Sequence, residues 1–222
     1  MLRAAIFDID GTLIDSNDLH ASAWLEIFQR YGIDMPHARV REQIGKGGDN
    51  LMPALLPASL VASHGEAMER ENGELFKRDY MSRIVPFPGV RDLFAGLRKN
   101  GTRVVLASSG KEKEVEHHRD LLGIGELIDG ATSADEVEHS KPCPDIFAAA
   151  IAKLPGVEPQ EAVVVGDTPY DMEAAGKLGV PAIGVLCGGF DAEVLRAAGA
   201  AALYDGPWSL PHDIQAWLPQ PD

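Results

Sequence analysis

Cysteine is scarce in this chain. Of 222 residues only Cys143 and Cys187 carry thiols, too few for a disulfide framework, so free thiols in a reducing compartment are expected. Positive charge is scarce too, with 20 lysines and arginines against 34 acids and a formal net charge of −14. That balance argues against sequence-independent binding to nucleic acid or to an anionic membrane, since both need a cationic surface. No window approaches the ~20 apolar residues of a membrane span. The N-terminus lacks the basic-then-apolar order of a signal peptide, and a cytoplasmic location is expected. Internal repeats and low-complexity segments are missing. What remains is ordinary for a globular protein: 45% hydrophobic and 24% charged residues, enough for one large domain or two smaller ones. An acidic protein that handles an anionic substrate needs local positive charge, from a metal ion or a placed lysine.

The opening residues are the most informative. An apolar run from Leu2 to Phe7 ends in Asp8, and Asp10, Gly11 and Thr12 follow. A buried-strand pattern that stops on an acid puts the acid at the strand's carboxyl end, where open α/β sheets bind ligands. Two carboxylates held that close repel one another, so either a cation lies between them or one stays protonated. The plain alternative is a turn in which both acids cap backbone donors before Gly11.

Beyond this strand the period changes to that of a helix. Leu19, Ala23, Trp24, Ile27, Phe28 and Tyr31 recur at helical spacing up to the stop at Gly32, with Ser16 or Asn17 available as a cap. From there to about Ile84 the pattern gives helices and turns, including a long helix around residues 58–84, with Gly65 and Gly73 as candidate breaks. After Pro86 and Pro88 strands and helices alternate, with apolar strand runs ending at Ser108 and Asp167 and another near residues 126–133. Repeated βα units imply a parallel sheet covered by helices on both faces. The expected fold is therefore α/β: a Rossmann-like, three-layer α/β/α core from residues 1–15 and 86–222, with an all-helical cap inserted over residues 16–85. The linkers near 14–16 and 85–88 are candidate hinges. Trp208 and Trp217 are expected to close the core, with an apolar patch as the alternative, and the adjacent His117 and His118 to lie on a solvated helix face.

Functional groups recur at the strand ends. Ser108 and Ser109 end one strand, Asp167 ends another, and Lys141 follows a third. Each has a bland alternative: Ser108 as a helix cap, Lys141 as a solvated lysine, Asp167 as a turn residue, Asp171 as a first-turn acid favoured by the helix dipole. Those alternatives do not predict four such residues on one rim. Together they suit an anionic phosphate ester, which resists attack by another anion until its charge is neutralised. A Mg²⁺ ion held by Asp8, Asp167 and the Asp10 carbonyl is expected from all-oxygen ligation. Asp8 could then attack phosphorus in line to give an aspartyl-phosphate, with Asp10 as general acid and then base. Lys141 and Ser108 would hold the transferring group's oxygens.

These residues, in this order, resemble the haloacid dehalogenase-like hydrolase superfamily. "DIDGTL", Ser108, Lys141 in "KPCPDIF" and "GDTPYD" are similar to its four motifs. The resemblance implies Asp8 as nucleophile, Asp10 as acid/base, Ser108, Ser109 and Lys141 as phosphate binders, and Asp8, Asp10 and Asp167 as Mg²⁺ ligands, with Asp171 behind them. The presence of Asp10 disfavours the haloalkanoate dehalogenases, which lack an acid there. Within the superfamily, "DSNDLHASAW" and "IGKGGDNL" resemble the helical-cap group of β-phosphoglucomutase and phosphoglycolate phosphatase. That likeness sets His20 near substrate, against the alternative of a core-facing helix residue. The phosphate-binding arginine of the mutases is replaced by Gly48, and the later cap lysine by Phe76 with Lys77 beside it; Lys46 is the candidate substitute. The expectation is a Mg²⁺-dependent phosphatase acting on a small phosphorylated metabolite, a sugar phosphate or phosphoglycolate. The alternatives are a phosphomutase with the same chemistry and, from another class, a non-enzymatic phospho-accepting signalling module, which is normally shorter and has no inserted helical block.

Overall fold

A computed structural model describes residues 1–218. Six strands form one parallel sheet: β1 (Ala4–Phe7), β4 (Arg103–Ala107), β5 (Gly130–Thr132), β6 (Ala162–Gly166), β7 (Ala182–Val185) and β8 (Ala202–Tyr204), in the order β5-β4-β1-β6-β7-β8. β1 sits at the centre, with Phe7 in register with Leu106 of β4 and Val165 of β6. Its four residues are all buried, as expected of a parallel strand with both faces covered.

Alternation along the strands builds two cores. Phe7, Leu106 and Val165 point into one apolar cluster, while Ile6, Val105 and Val164 point into the other. The second cluster is roofed by α7 (Asp145–Ala152) and α8 (Pro169–Lys177), through Ile146, Phe147, Ala150 and Met172. The first is covered by α5 (Val90–Lys99), whose Val90, Leu93, Phe94 and Leu97 are buried at helical spacing. The remaining core helices are α6 (Glu112–Leu122) and α9 (Ala192–Ala197). This is the three-layer α/β architecture that the βα alternation implies.

Between β2 (Ile14–Asp15) and β3 (Val85–Pro86) the chain is built from helices: α1 (Asn17–Arg30), α2 (His37–Arg41), α3 (Gly48–Leu55) and α4 (Ala58–Leu75). β2 and β3 pair with each other, antiparallel, so the two linkers form one short ribbon. Gly65 and Gly73 do not break the long helix. α4 runs through both, then widens into a π turn at Phe76–Tyr80 and tightens into a 3₁₀ turn at Met81–Arg83.

Two expectations are corrected. Trp217 is buried against Phe7, but Trp208 is 47% exposed, with its ring beside Phe87, so one tryptophan closes the core rather than two. His117 is exposed as expected, but His118 is buried. Neighbours on a helix are about 100° apart, so α6 turns one ring to solvent and the other inward. Among the described residues no helix is long and apolar enough to cross a membrane.

Candidate active site

The carboxyl ends of β1, β4 and β6 meet at one edge of the sheet, and the side chains singled out by the sequence gather there. Asp8 follows β1 directly; Asp167 follows β6; Lys141 lies between β5 and α7. Asp8, Asp167, Asp171 and Lys141 are all buried. One carboxylate oxygen from each of the three acids lies within 4.8 Å of the other two. Lys141 Nζ is 2.5 Å from Asp8 Oδ1 and 2.7 Å from Asp171 Oδ1. Asp171 thus lies beside Asp8 and Asp167 in the cluster. It also accepts hydrogen bonds from the Thr168 hydroxyl and backbone N–H, at 2.6 and 3.0 Å, in a capping box that opens α8.

The close packing depends on missing side chains. A Cβ on Gly11 would collide with Asn17 and Asp167, and Gly11 also adopts a left-handed φ of +73°. A Cβ on Gly188 would strike the Asp167 carboxylate. Glycine at both positions lets backbone approach the acid.

The electrostatics follow from burial. Desolvation pushes the Asp8 carboxyl well above its ordinary value; Lys141 pulls it down, and Asp171 and Asp167 push it up again. Asp167 is raised to about 7 by burial and by Asp171, against hydrogen bonds from Asn17 and Thr12. Burial also disfavours the Lys141 ammonium, but Asp171 and Asp8 outweigh it and hold the proton more tightly than usual. One ammonium cannot balance three buried carboxylates, and the all-oxygen donor set suits a hard divalent cation such as Mg²⁺.

Asp10 differs. Burial opposes its ionisation, but His20 and Ser16 more than compensate and hold the carboxyl far below the ordinary range. Ser16 Oγ donates to Asp10 Oδ1 at 2.6 Å, and His20 Nε2 lies 3.1 Å from the same oxygen. The His20 ring stacks on Phe76, centroids 3.9 Å apart and planes 5° from parallel. His20 therefore orients Asp10 and also faces the cavity, rather than packing away in the helix core.

That cavity, about 300 Å³, is lined by Asp8, Asp10, His20, Lys46, Ser109 and residues of α3, α4 and α6. Ser108 is buried beneath it, its hydroxyl accepting from the Gly110 N–H at 3.0 Å, while Ser109 reaches the Gly45 carbonyl at 3.4 Å. Lys46 is partly occupied elsewhere, bonding Gln43 Oε1 at 2.6 Å and sitting 4.4 Å from the centre of the Tyr170 ring. The start of α3 is tied to the residue before Lys141: Asp49 accepts from the Ser140 hydroxyl at 2.5 Å, and Asn50 Nδ2 donates to the Ser140 carbonyl at 3.0 Å.

The description "haloacid dehalogenase-like hydrolase" matches residues 2–179. The chain belongs to that family. A validoxylamine A 7′-phosphate phosphatase of Streptomyces hygroscopicus subsp. limoneus is 29% identical over 198 residues, covering 89% of this chain and 92% of the relative. A phosphorylated carbohydrates phosphatase of Thermotoga maritima is 28% identical over 203 residues, 91% of this chain and 94% of its own. Among solved structures, a hydrolase from Pseudomonas syringae superposes with a TM-score of 0.86 at 29% identity, covering 94% of this chain and 95% of the other.

Several residues of this haloacid dehalogenase-like hydrolase were not legible as site residues. Ser16 and Asn17 read as helix caps, but neither side chain caps α1. The Ser16 hydroxyl is turned to Asp10. Asn17 Nδ2 donates to Asp167 Oδ2 at 2.8 Å and to the Gly188 carbonyl at 3.0 Å, and Thr12 Oγ1 donates to Asp167 Oδ1 at 2.9 Å. Their position just past a strand-end acid was the available signal. Glu69, Asn72 and Glu114 also line the cavity, and nothing local in the sequence marks them.

Proposed function

We propose that this haloacid dehalogenase-like hydrolase is a Mg²⁺-dependent phosphatase that cleaves a small-metabolite phosphomonoester through an aspartyl-phosphate on Asp8. The clustering of Asp8, Asp167 and Asp171, with one buried ammonium bridging Asp8 and Asp171, carries the reading. The relatives' names, both phosphatases of carbohydrate-type phosphates, support it. Asp8, Asp167 and the Asp10 carbonyl are the proposed Mg²⁺ ligands. When bound, the ion would offset the phosphate's negative charge so that an anionic nucleophile can approach.

In the first half-reaction an Asp8 oxygen bonds to phosphorus as the ester P–O bond breaks, and the leaving oxygen takes a proton. That proton comes from the Asp10–His20 pair, whose partners lie 3.1 Å apart. In the second half-reaction Asp10, ionised as its surroundings favour, accepts a proton from water as the water oxygen attacks the aspartyl-phosphate. Inorganic phosphate leaves and Asp8 is restored. Lys141 balances charge on the transferring group, and the hydroxyls and backbone N–H groups around Ser108 and Ser109 donate to its oxygens. The helical segment of residues 16–85 acts as a cap that excludes bulk water and presents the leaving-group side of the cavity.

The test is release of phosphate from p-nitrophenyl phosphate by the purified protein with Mg²⁺ and with a chelator. Turnover is expected only with Mg²⁺ and to be lost in Asp8→Asn. An Asp8→Asn protein with wild-type turnover overturns the assignment.

A further inference from the structure

One wall of the cavity is formed by one face of α4 and the turn after it, which the His20–Phe76 stack joins to Asp10. Glu69, Asn72, Gly73 and Phe76 line it at i, i+3, i+4 and i+7. Facing them is the start of α3, where a Cβ on Gly48 would lie 3.0 Å from Glu69 Cδ and 3.1 Å from its Oε1. A glycine there leaves the Glu69 carboxylate next to bare backbone.

Charge along the lining of the cavity is weighted to the acidic side. Asp49, Glu69, Glu114 and Glu138 line it, against Lys46 and Lys111. Lys46 is held by Gln43 and Tyr170, and Asp49 is engaged by Ser140. Glu69 is exposed and, among the described residues, makes no hydrogen bond or ion pair; Lys111 is the cation that acts on it and Asp49 the acid that opposes it. Asn72 Oδ1 is buried without a partner. Two oxygen acceptors therefore stand on one helix face, the exposed Glu69 carboxylate and the buried Asn72 Oδ1, and the buried one is costly to leave unpaired. Trp24 and Phe76 supply apolar wall beside them. Acceptors set beside aromatic surface suit a ligand that carries hydroxyl donors on a carbon skeleton. A second phosphate or a carboxylate would instead meet like charge.

We propose that Glu69 and Asn72 determine specificity, accepting hydrogen bonds from the hydroxyls of an uncharged polyhydroxylated leaving group and turning away substrates with a second anionic group. The favoured class is then a sugar or sugar-alcohol monophosphate, and phosphoglycolate and bisphosphates are poor substrates. This deepens the phosphatase reading and rests on it.

The experiment measures kcat/KM for sorbitol 6-phosphate and phosphoglycolate, with p-nitrophenyl phosphate as the control for phosphatase activity. In the wild type the sugar-alcohol phosphate is expected to be favoured by about tenfold or more, the scale of one discriminating contact. Glu69→Gln is expected to narrow that ratio by about tenfold, and Glu69→Lys to reverse the order by making an anionic tail welcome. If the wild type hydrolyses the aryl ester but shows a ratio near one, or if both Glu69 variants keep the wild-type ratio, the specificity role is overturned and the phosphatase reading stands. If neither the aryl ester nor the two metabolite esters is hydrolysed, both fall.

Discussion

Lys141 Nζ lies 2.5 Å from Asp8 Oδ1, and both residues are buried. The same ammonium reaches Asp171, so one lysine holds two desolvated carboxylates that would otherwise repel.

Removal of Lys141 should therefore cost stability as well as activity. Lys141→Met leaves Asp8 and Asp171 buried and unpaired, a loss of about 3–5 kcal/mol for breaking a buried pair. The loss should shrink at pH 5, because the freed carboxyls can then take up protons. Urea unfolding at pH 7 and pH 5 measures both values. A variant as stable as the wild type at pH 7 would contradict the buried pairing.

Mg²⁺ should stabilise the fold in a pH-dependent way. Asp8 and Asp167 are acids whose pKa is raised in the folded state, Asp167 to about 7. The folded chain thus keeps protons that the unfolded chain has released, and the metal-free protein loses stability as pH rises from about 4 to about 7. A cation that replaces those protons helps most above pH 7 and little at pH 5. At a hundredfold excess over its dissociation constant it should add about 2.7 kcal/mol. Melting curves with and without Mg²⁺ at pH 5 and pH 8 check this, and an equal shift at both would refute it. Asn17→Ala, which removes a donor to Asp167, should weaken Mg²⁺ binding by about 10–100-fold in calorimetric titration.

His118 is a latent weakness. It is 2% exposed, neither ring nitrogen has a partner, and burial lowers its pKa. Below about pH 6.5 the unfolded chain binds a proton that the folded chain resists, so this group's contribution falls as pH drops. His118→Leu removes the unpaired nitrogens and should raise stability by about 1–3 kcal/mol, with a larger gain at pH 5.5 than at pH 7.5. Chemical unfolding at the two pH values decides it, and a destabilised variant would show that the ring is needed where it is.

The architecture was legible because its signals are local. The buried run of residues 4–7, the strand-end acids and the βα alternation after Pro88 each lie within a short window, and β1 emerges as the central strand. Ser16 and Asn17 were harder, since a hydroxyl and an amide before a helix look like caps whether they bond the helix or the site. Adjacent histidines on α6 could not be split into one exposed and one buried ring until the face packed against the rest of the molecule was known. Glu69 and Asn72 carry no local signal, because their meaning comes from lining a cavity whose other residues are distant in sequence.

From sequence alone came the fold class and the chemistry-bearing residues at the strand ends, because hydrophobic period and the acid that ends a run are properties of neighbouring residues. Only the tertiary structure decided that Lys141 bridges Asp8 and Asp171, that His20 orients Asp10, and that α4 brings two oxygen acceptors to the cavity wall. Those relations join segments 10 to 133 residues apart, and distance in space, which sets both charge interaction and hydrogen bonding, is not written in any one window of the chain.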